Sequence, residues 1–199
     1  MKLNYIFIRN IIFILFIFPL FGTIFSAKVM LAKPGKKLPR FEIHTRGGKV
    51  IRNKFIREKA VVFIFWSQGS TKSRKALEYF DDMQKLHIKE NFLVFALNIK
   101  DPNSVTAVDY LRQKKKYSLT FTVNNELIEQ GWRIHQTPTI MVVDSKGIIR
   151  YRESDFKSDK DEHDKLNTLI TDLIKECSHK QSSDKKAKTN QTSKFKSKS

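Results

Sequence analysis

The chain has 199 residues and a formal net charge of +18, from 38 Lys and Arg against 20 Asp and Glu. That length fits one ordinary domain with extensions. The charge invites a nucleic-acid partner, but the basic residues are spread along the chain and form no DNA- or RNA-binding motif, so no specific nucleic acid is expected. The single cysteine, Cys177, excludes an intramolecular disulfide and a Cys-rich metal site.

Residues 1–27 open with Lys2 and Arg9, continue through the apolar run from Ile11 to Phe18, and end in Ser26-Ala27. A positive start, an apolar centre and small terminal residues are the plan of a secretory leader. The bulky Phe25 stands two before Ala27, and the apolar stretch approaches bilayer-spanning length, so an N-terminal membrane anchor is the alternative. Either reading places residues 28–177 in an extracytoplasmic compartment such as a bacterial periplasm.

Phe41-Glu42-Ile43 begins an extended run, Gly47-Gly48 makes a hairpin-type turn, and Val50-Ile51 returns. Val61 to Trp66 reads VVFIFW, with no polar face, and predicts a strand buried on both sides of a sheet. Ser67-Gln68-Gly69 breaks it. Ser70 or Thr71 then caps a helix whose apolar positions are Ala76, Leu77, Phe80, Met83 and Leu86. Residues 91–99 read as a second buried strand. Ser104 to Lys116 forms a helix capped from Asp101–Ser104, Phe121–Val123 a short extended piece, and Glu126 to Trp132 a short helix. Thr139–Val143 and Ile148–Arg152 pair through an Asp144–Gly147 turn. Asp161 to Glu176 is an amphipathic helix with Leu166, Leu169, Ile170, Leu173 and Ile174 inward. Residues 178–199 carry seven lysines, one aspartate and little apolar beyond Phe195, a composition for a disordered basic tail.

A buried strand ending in Phe65-Trp66, a helix start with Arg74, and the run from His135 to Asp144 around Pro138 resemble the extracytoplasmic thioredoxin-like proteins of the TlpA/ResA type. The resemblance covers Lys33 to Tyr151 and implies an α/β thioredoxin-like fold, with helices flanking a central mixed sheet. It also implies a Cys-x-x-Cys at the helix start and a cis-proline at Pro138. Here the two cysteine positions are Ser70 and Ser73.

Thiol–disulfide exchange needs a thiolate, which a helix N-terminus provides by lowering a cysteine pKa from about 8.5 to roughly 3.5–7.5. A serine hydroxyl ionises far above that range. Ile64, Ala76 and Glu78 also stand where the family often has a polar residue, a glutamate and a proline. These departures imply a degenerate site, no catalytic residue and no cofactor. Without a peroxidatic cysteine, a peroxiredoxin-like activity fails for the same reason.

Ser70 and Ser73 therefore serve at least as helix caps. The resemblance implies a groove of Trp66, Ser70, Thr71, Thr137 and Pro138 that takes an extended peptide by β-addition, since the residue before the cis-proline pairs its backbone with substrate in that family. Two alternatives stay open: oxidoreductase activity through Cys177 with a partner's thiol, and a basic surface protein whose lysine tail meets an anionic membrane. A Ser70–His135 hydrolase lacks an orienting acid and an oxyanion hole. His44, His87, His163 and His179 show no metal-ligand spacing.

Overall fold

The computed structural model describes residues 32–157 and 159–196, with side chains described through residue 179. The expected leader or anchor at 1–27 lies outside the described residues, as do the tail's side chains beyond His179; the backbone of 178–196, expected to be disordered, continues the last helix instead. Among the described residues no helix is long and apolar enough to cross a membrane.

Seven strands form one mixed sheet: β1 (Glu42–Thr45), β2 (Val50–Arg52), β3 (Ala60–Trp66), β4 (Phe92–Asn98), β5 (Thr120–Val123), β6 (Thr139–Val143) and β7 (Ile149–Glu153), in the order β2-β1-β5-β4-β3-β6-β7. β3, β4 and β5 run parallel, while β6, β7 and the β1–β2 hairpin are antiparallel to their neighbours. The helices are α1 (Thr71–Leu86), α2 (Ser104–Lys114), α3 (Glu126–Gly131) and α4 (Lys160–Lys196). This is the thioredoxin-like arrangement that the sequence predicts.

Every residue of β3 is buried. Side chains alternate faces along a strand, so Val62, Ile64 and Trp66 join one core, with Leu77 and Phe80 of α1, Val108 of α2 and Ile170 of α4. Val61, Phe63 and Phe65 join the other, closed by Phe41, Ile43, Ile128 and Trp132. Phe63 stacks on Phe95 at 5.6 Å and meets Phe41 and Trp132 edge-on at 5.6 and 5.5 Å.

Buried polar groups set the spacing of α1 over the sheet. The Gln84 side chain accepts from the Val94 N–H at 2.8 Å and donates to the Phe92 carbonyl at 3.4 Å. Leu86 departs from the expected inward face and is 76 % exposed. It is the last residue of α1, after Met83 has closed the helix's contact with the core. At the β6–β7 turn, Asp144 Oδ1 accepts the N–H groups of Lys146 and Ile148, and Gly147 takes the left-handed conformation at φ +78°.

Phe63→Ala removes the ring at the centre of the second core. The expected loss is about 3–5 kcal/mol, read from the urea midpoint at unchanged m-value. A loss below about 1 kcal/mol would mean that this cluster does not hold the sheet's second face.

Candidate functional site

Three strand ends meet at one pole. β3 and β4 finish there because they are parallel, and β6 starts there because it runs against β3. The turn 67–70, the loop 98–101 and the loop 135–138 are thereby brought together.

Ser70 is the N-cap of α1. Its extended backbone (φ −88°, ψ 115°) leaves the side chain free to fold back, and its Oγ accepts the Ser73 N–H at 3.1 Å. The same hydroxyl makes a long 3.5 Å bond to the Thr137 carbonyl. The hydroxyls of Ser67 and Thr137 lie 2.7 Å apart, one donating to the other. The Thr137–Pro138 peptide bond is cis, as expected, and Thr139 Oγ1 donates to the Gln136 carbonyl at 2.8 Å. The Thr137 N–H has no acceptor among the described residues.

Of the expected groove residues, Ser70 and Thr137 are half-buried, Thr71 is exposed and Pro138 is buried. They are brought to one edge. Trp66 is not: it is 0 % exposed and packs edge-on against Phe121 at 5.9 Å, so it underlies the turn and lines no groove. The hydrophobic run that identifies β3 carries no information on which of its last residues surfaces. Ser73 is also fully buried, with Oγ 3.5 Å from the Ser67 N–H.

The electrostatics at this helix start are positive. The first turn of α1 holds no acidic residue, and its open N–H groups carry the positive end of the helix dipole. Arg74 donates to the Gln68 carbonyl and to Thr71 Oγ1, each at 3.0 Å. Lys72 pairs with Asp155 at 2.8 Å, and this hydrogen bond holds the Asp155 carboxyl below its usual range. Beneath the turn, Ile64 and Ala76 are 0 % exposed. Neither side chain can take or give a proton.

His135 is exposed, and its carbonyl accepts from the Lys100 ammonium. The Ser70 hydroxyl bonds backbone groups and no imidazole, so a Ser–His nucleophile is not assembled. Among the described residues no group of His, Cys, Asp and Glu could hold a metal ion.

Asp101 is a site residue that the sequence suggests only as part of a helix cap. Asn103 caps α2 instead, accepting the Thr106 N–H at 3.0 Å. Asp101 Oδ2 accepts the Gln68 N–H at 2.8 Å and Asn98 Nδ2 at 2.6 Å, pinning the turn ahead of α1. Polar Asn98 ending an apolar strand is the signal that could have found it.

Cys177 lies at the other pole. It is 1 % exposed and touches Ser145 and the backbone of Ala60, the first residue of β3. A seven-residue strand spans about 20 Å, which separates the thiol from Ser70 and Ser73. Burial pushes its pKa above the ordinary 9.0. A partner's thiol has no access to it here, contrary to the intermolecular role expected from an unpaired cysteine. A lone residue in sequence shows neither its depth nor its pole.

The family model described as AhpC/TSA family matches residues 34–152. No curated protein matches the chain. Among solved structures, a thioredoxin family thiol:disulfide interchange protein from Chlorobium tepidum is 14 % identical at TM-score 0.61, covering 73 % of this chain and 99 % of its own. The thioredoxin domain of a thiol-disulfide oxidoreductase from Bacteroides vulgatus is 16 % identical at TM-score 0.57, covering 69 % and 98 %. DsbF from MTB, solved in mixed oxidized and reduced forms, is 17 % identical at TM-score 0.57, covering 67 % and 94 %. These likenesses fix a fold of the thiol-disulfide oxidoreductase kind.

Two outcomes follow from the geometry. Ser70→Ala deletes the cap and is expected to cost about 1 kcal/mol in chemical denaturation. For Cys177, the folded pKa is raised, so the unfolded chain ionises first as pH rises past about 8.5. The unfolded state then binds fewer protons and stability falls with pH above that point, while Cys177→Ser is expected to lose this component. The native thiol is also expected to react slowly with a soluble alkylating reagent and rapidly in urea. Equal rates in both conditions would place Cys177 at the surface.

Proposed function

Because this chain belongs to the AhpC/TSA family, we propose that it is an exported thioredoxin-like domain without dithiol chemistry that binds an extended protein segment. Support comes from one observation: both positions of the helix-start motif are hydroxyls tied into the scaffold, while the only thiol is buried at the opposite pole. The Ser70 oxygen is occupied by a cap bond, and no buried base lies beneath it. Export is read from residues 1–27, which carry the leader or anchor pattern.

The binding mode is β-addition at the loop before Pro138. The Thr137 N–H is open, and its carbonyl is held only by the long bond from Ser70. An incoming strand pairs with both groups, displacing the Ser70 hydroxyl while leaving the cap bond to Ser73 in place. Main-chain pairing supplies affinity and the flanking side chains supply selectivity.

Thiol–disulfide reductase activity is expected to be absent from the native chain and to appear in Ser70→Cys/Ser73→Cys, whose first thiol would sit at the positive end of α1. Native activity that vanishes in Cys177→Ser would overturn the proposal. Binding is tested by panning the full-length chain against a library of extended peptides. The enriched peptides are expected to bind at least about tenfold more weakly to Thr137→Pro, which lacks the pairing N–H, with its circular dichroism spectrum unchanged. If no enriched peptide depends on residue 137, the groove does not exist.

A further inference from the structure

The pole opposite the serine pair is basic. The loop 53–59 and the β6–β7 turn converge there, and Lys49 from the tip of the β1–β2 hairpin reaches Phe55 of that loop. Lys37, Arg57 and Lys146 line a cavity of about 250 Å³ with Asn53 and Ser145, and Glu58 is the one acid on its wall. None of these three cations has an ion-pair partner among the described residues. A second cavity shares Ser145 and Lys146; its Arg150 is paired with Asp144 at 3.2 Å and its Lys175 faces Asp172 at 3.9 Å. The cations without an acidic partner therefore line the first cavity, with Lys146 shared between the two.

Beside it stands an exposed aromatic. Phe55 is 36 % exposed, with Lys49 4.1 Å and Lys59 5.7 Å from its ring centre. Residues 33–59 hold ten Lys and Arg against Glu42 and Glu58. Among the described residues only Arg46, with Asp109, and Arg52, with Glu42, are paired. Cys177, inside α4, brings that part of the helix to this pole through its contacts with Ser145 and Ala60.

We propose that this pole docks on an anionic lipid bilayer, with a headgroup phosphate in the cavity of Lys37, Arg57 and Lys146 and Phe55 inserted at the interface. Basic residues clustered at an anionic surface gain from its potential, and an aromatic ring among them suits the boundary between headgroups and acyl chains. The choice of lipid over nucleic acid rests on the export proposed above; the docking itself does not depend on the peptide groove. The orientation has a consequence. β3 separates the two poles by about 20 Å, so docking turns the Thr137 edge away from the bilayer.

The test uses the full chain with one added cysteine, Phe55→Cys or Thr71→Cys, and a water-soluble maleimide, since native Cys177 is buried. Labelling is timed with phosphatidylcholine vesicles and with vesicles containing phosphatidylglycerol. Phe55→Cys is expected to be labelled at least about fivefold more slowly on the anionic vesicles alone, with the full rate returning as salt screens the charges. Thr71→Cys is expected to keep its rate on both. Adding Lys37→Glu, Arg57→Glu and Lys146→Glu, with the C-terminal lysines intact, is expected to abolish the protection. Equal labelling of Phe55→Cys on both vesicles overturns the proposal, and so does protection that survives the three reversals. Equal protection by heparin at matched charge overturns lipid as the occupant. Loss of peptide binding with vesicle protection intact would remove the groove alone.

Discussion

The structure depends on β3 being buried from end to end. A strand with no polar face is stable only when both faces of the sheet are covered, which here requires α1, α2 and α4 on one side and Phe41, Ile128 and Trp132 on the other. A strand so enclosed reaches solvent only through its ends. The forward end delivers the chain to the start of α1, and the backward end receives it from the basic loop 53–59. Both candidate surfaces of this protein are thus consequences of one apolar run.

At the forward end the serines separate two properties that a thiol would combine. A hydroxyl serves as an N-cap, and Ser70 does so with a 3.1 Å bond. A thiolate at the same place would draw on the positive helix end, Arg74 and the absence of acidic residues in the first turn. The scaffold keeps the field and lacks the group on which the field acts. The buried Ile64 and Ala76 complete the contrast, since their apolar side chains stabilise the sheet but relay no proton.

Much of this was legible in the sequence because it is written in local patterns. The run VVFIFW, the cap at Ser70, the proline loop and the inward face of α4 each follow from neighbouring residues, and all took their expected form. What escaped depends on contacts distant in the chain. Asp101 reaches across 33 positions to the Gln68 N–H. Trp66 is sealed by Phe121, and Cys177 is buried by its approach to Ala60 and Ser145. Leu86 keeps its helical phase yet loses its partner because the helix ends there. Periodicity reports which way a side chain points, and only the assembled sheet decides what it meets.

The two poles also differ in how their charge is held. Around the serine turn most polar groups have a specific partner: Lys72 with Asp155, Arg74 with Gln68 and Thr71, Asp101 with Gln68 and Asn98. Such bonds fix geometry, which recognition of an extended backbone requires. At the opposite pole Lys37, Arg57 and Lys146 stand around a cavity without acidic partners of their own. Unpaired cations of this kind lower the protein's self-attraction and give long-range affinity with little directional demand. The proposed peptide edge and the proposed lipid-docking face thus lie at opposite poles and draw on different residues. Their separation follows from β3, whose fully buried seven residues stand between the two ends.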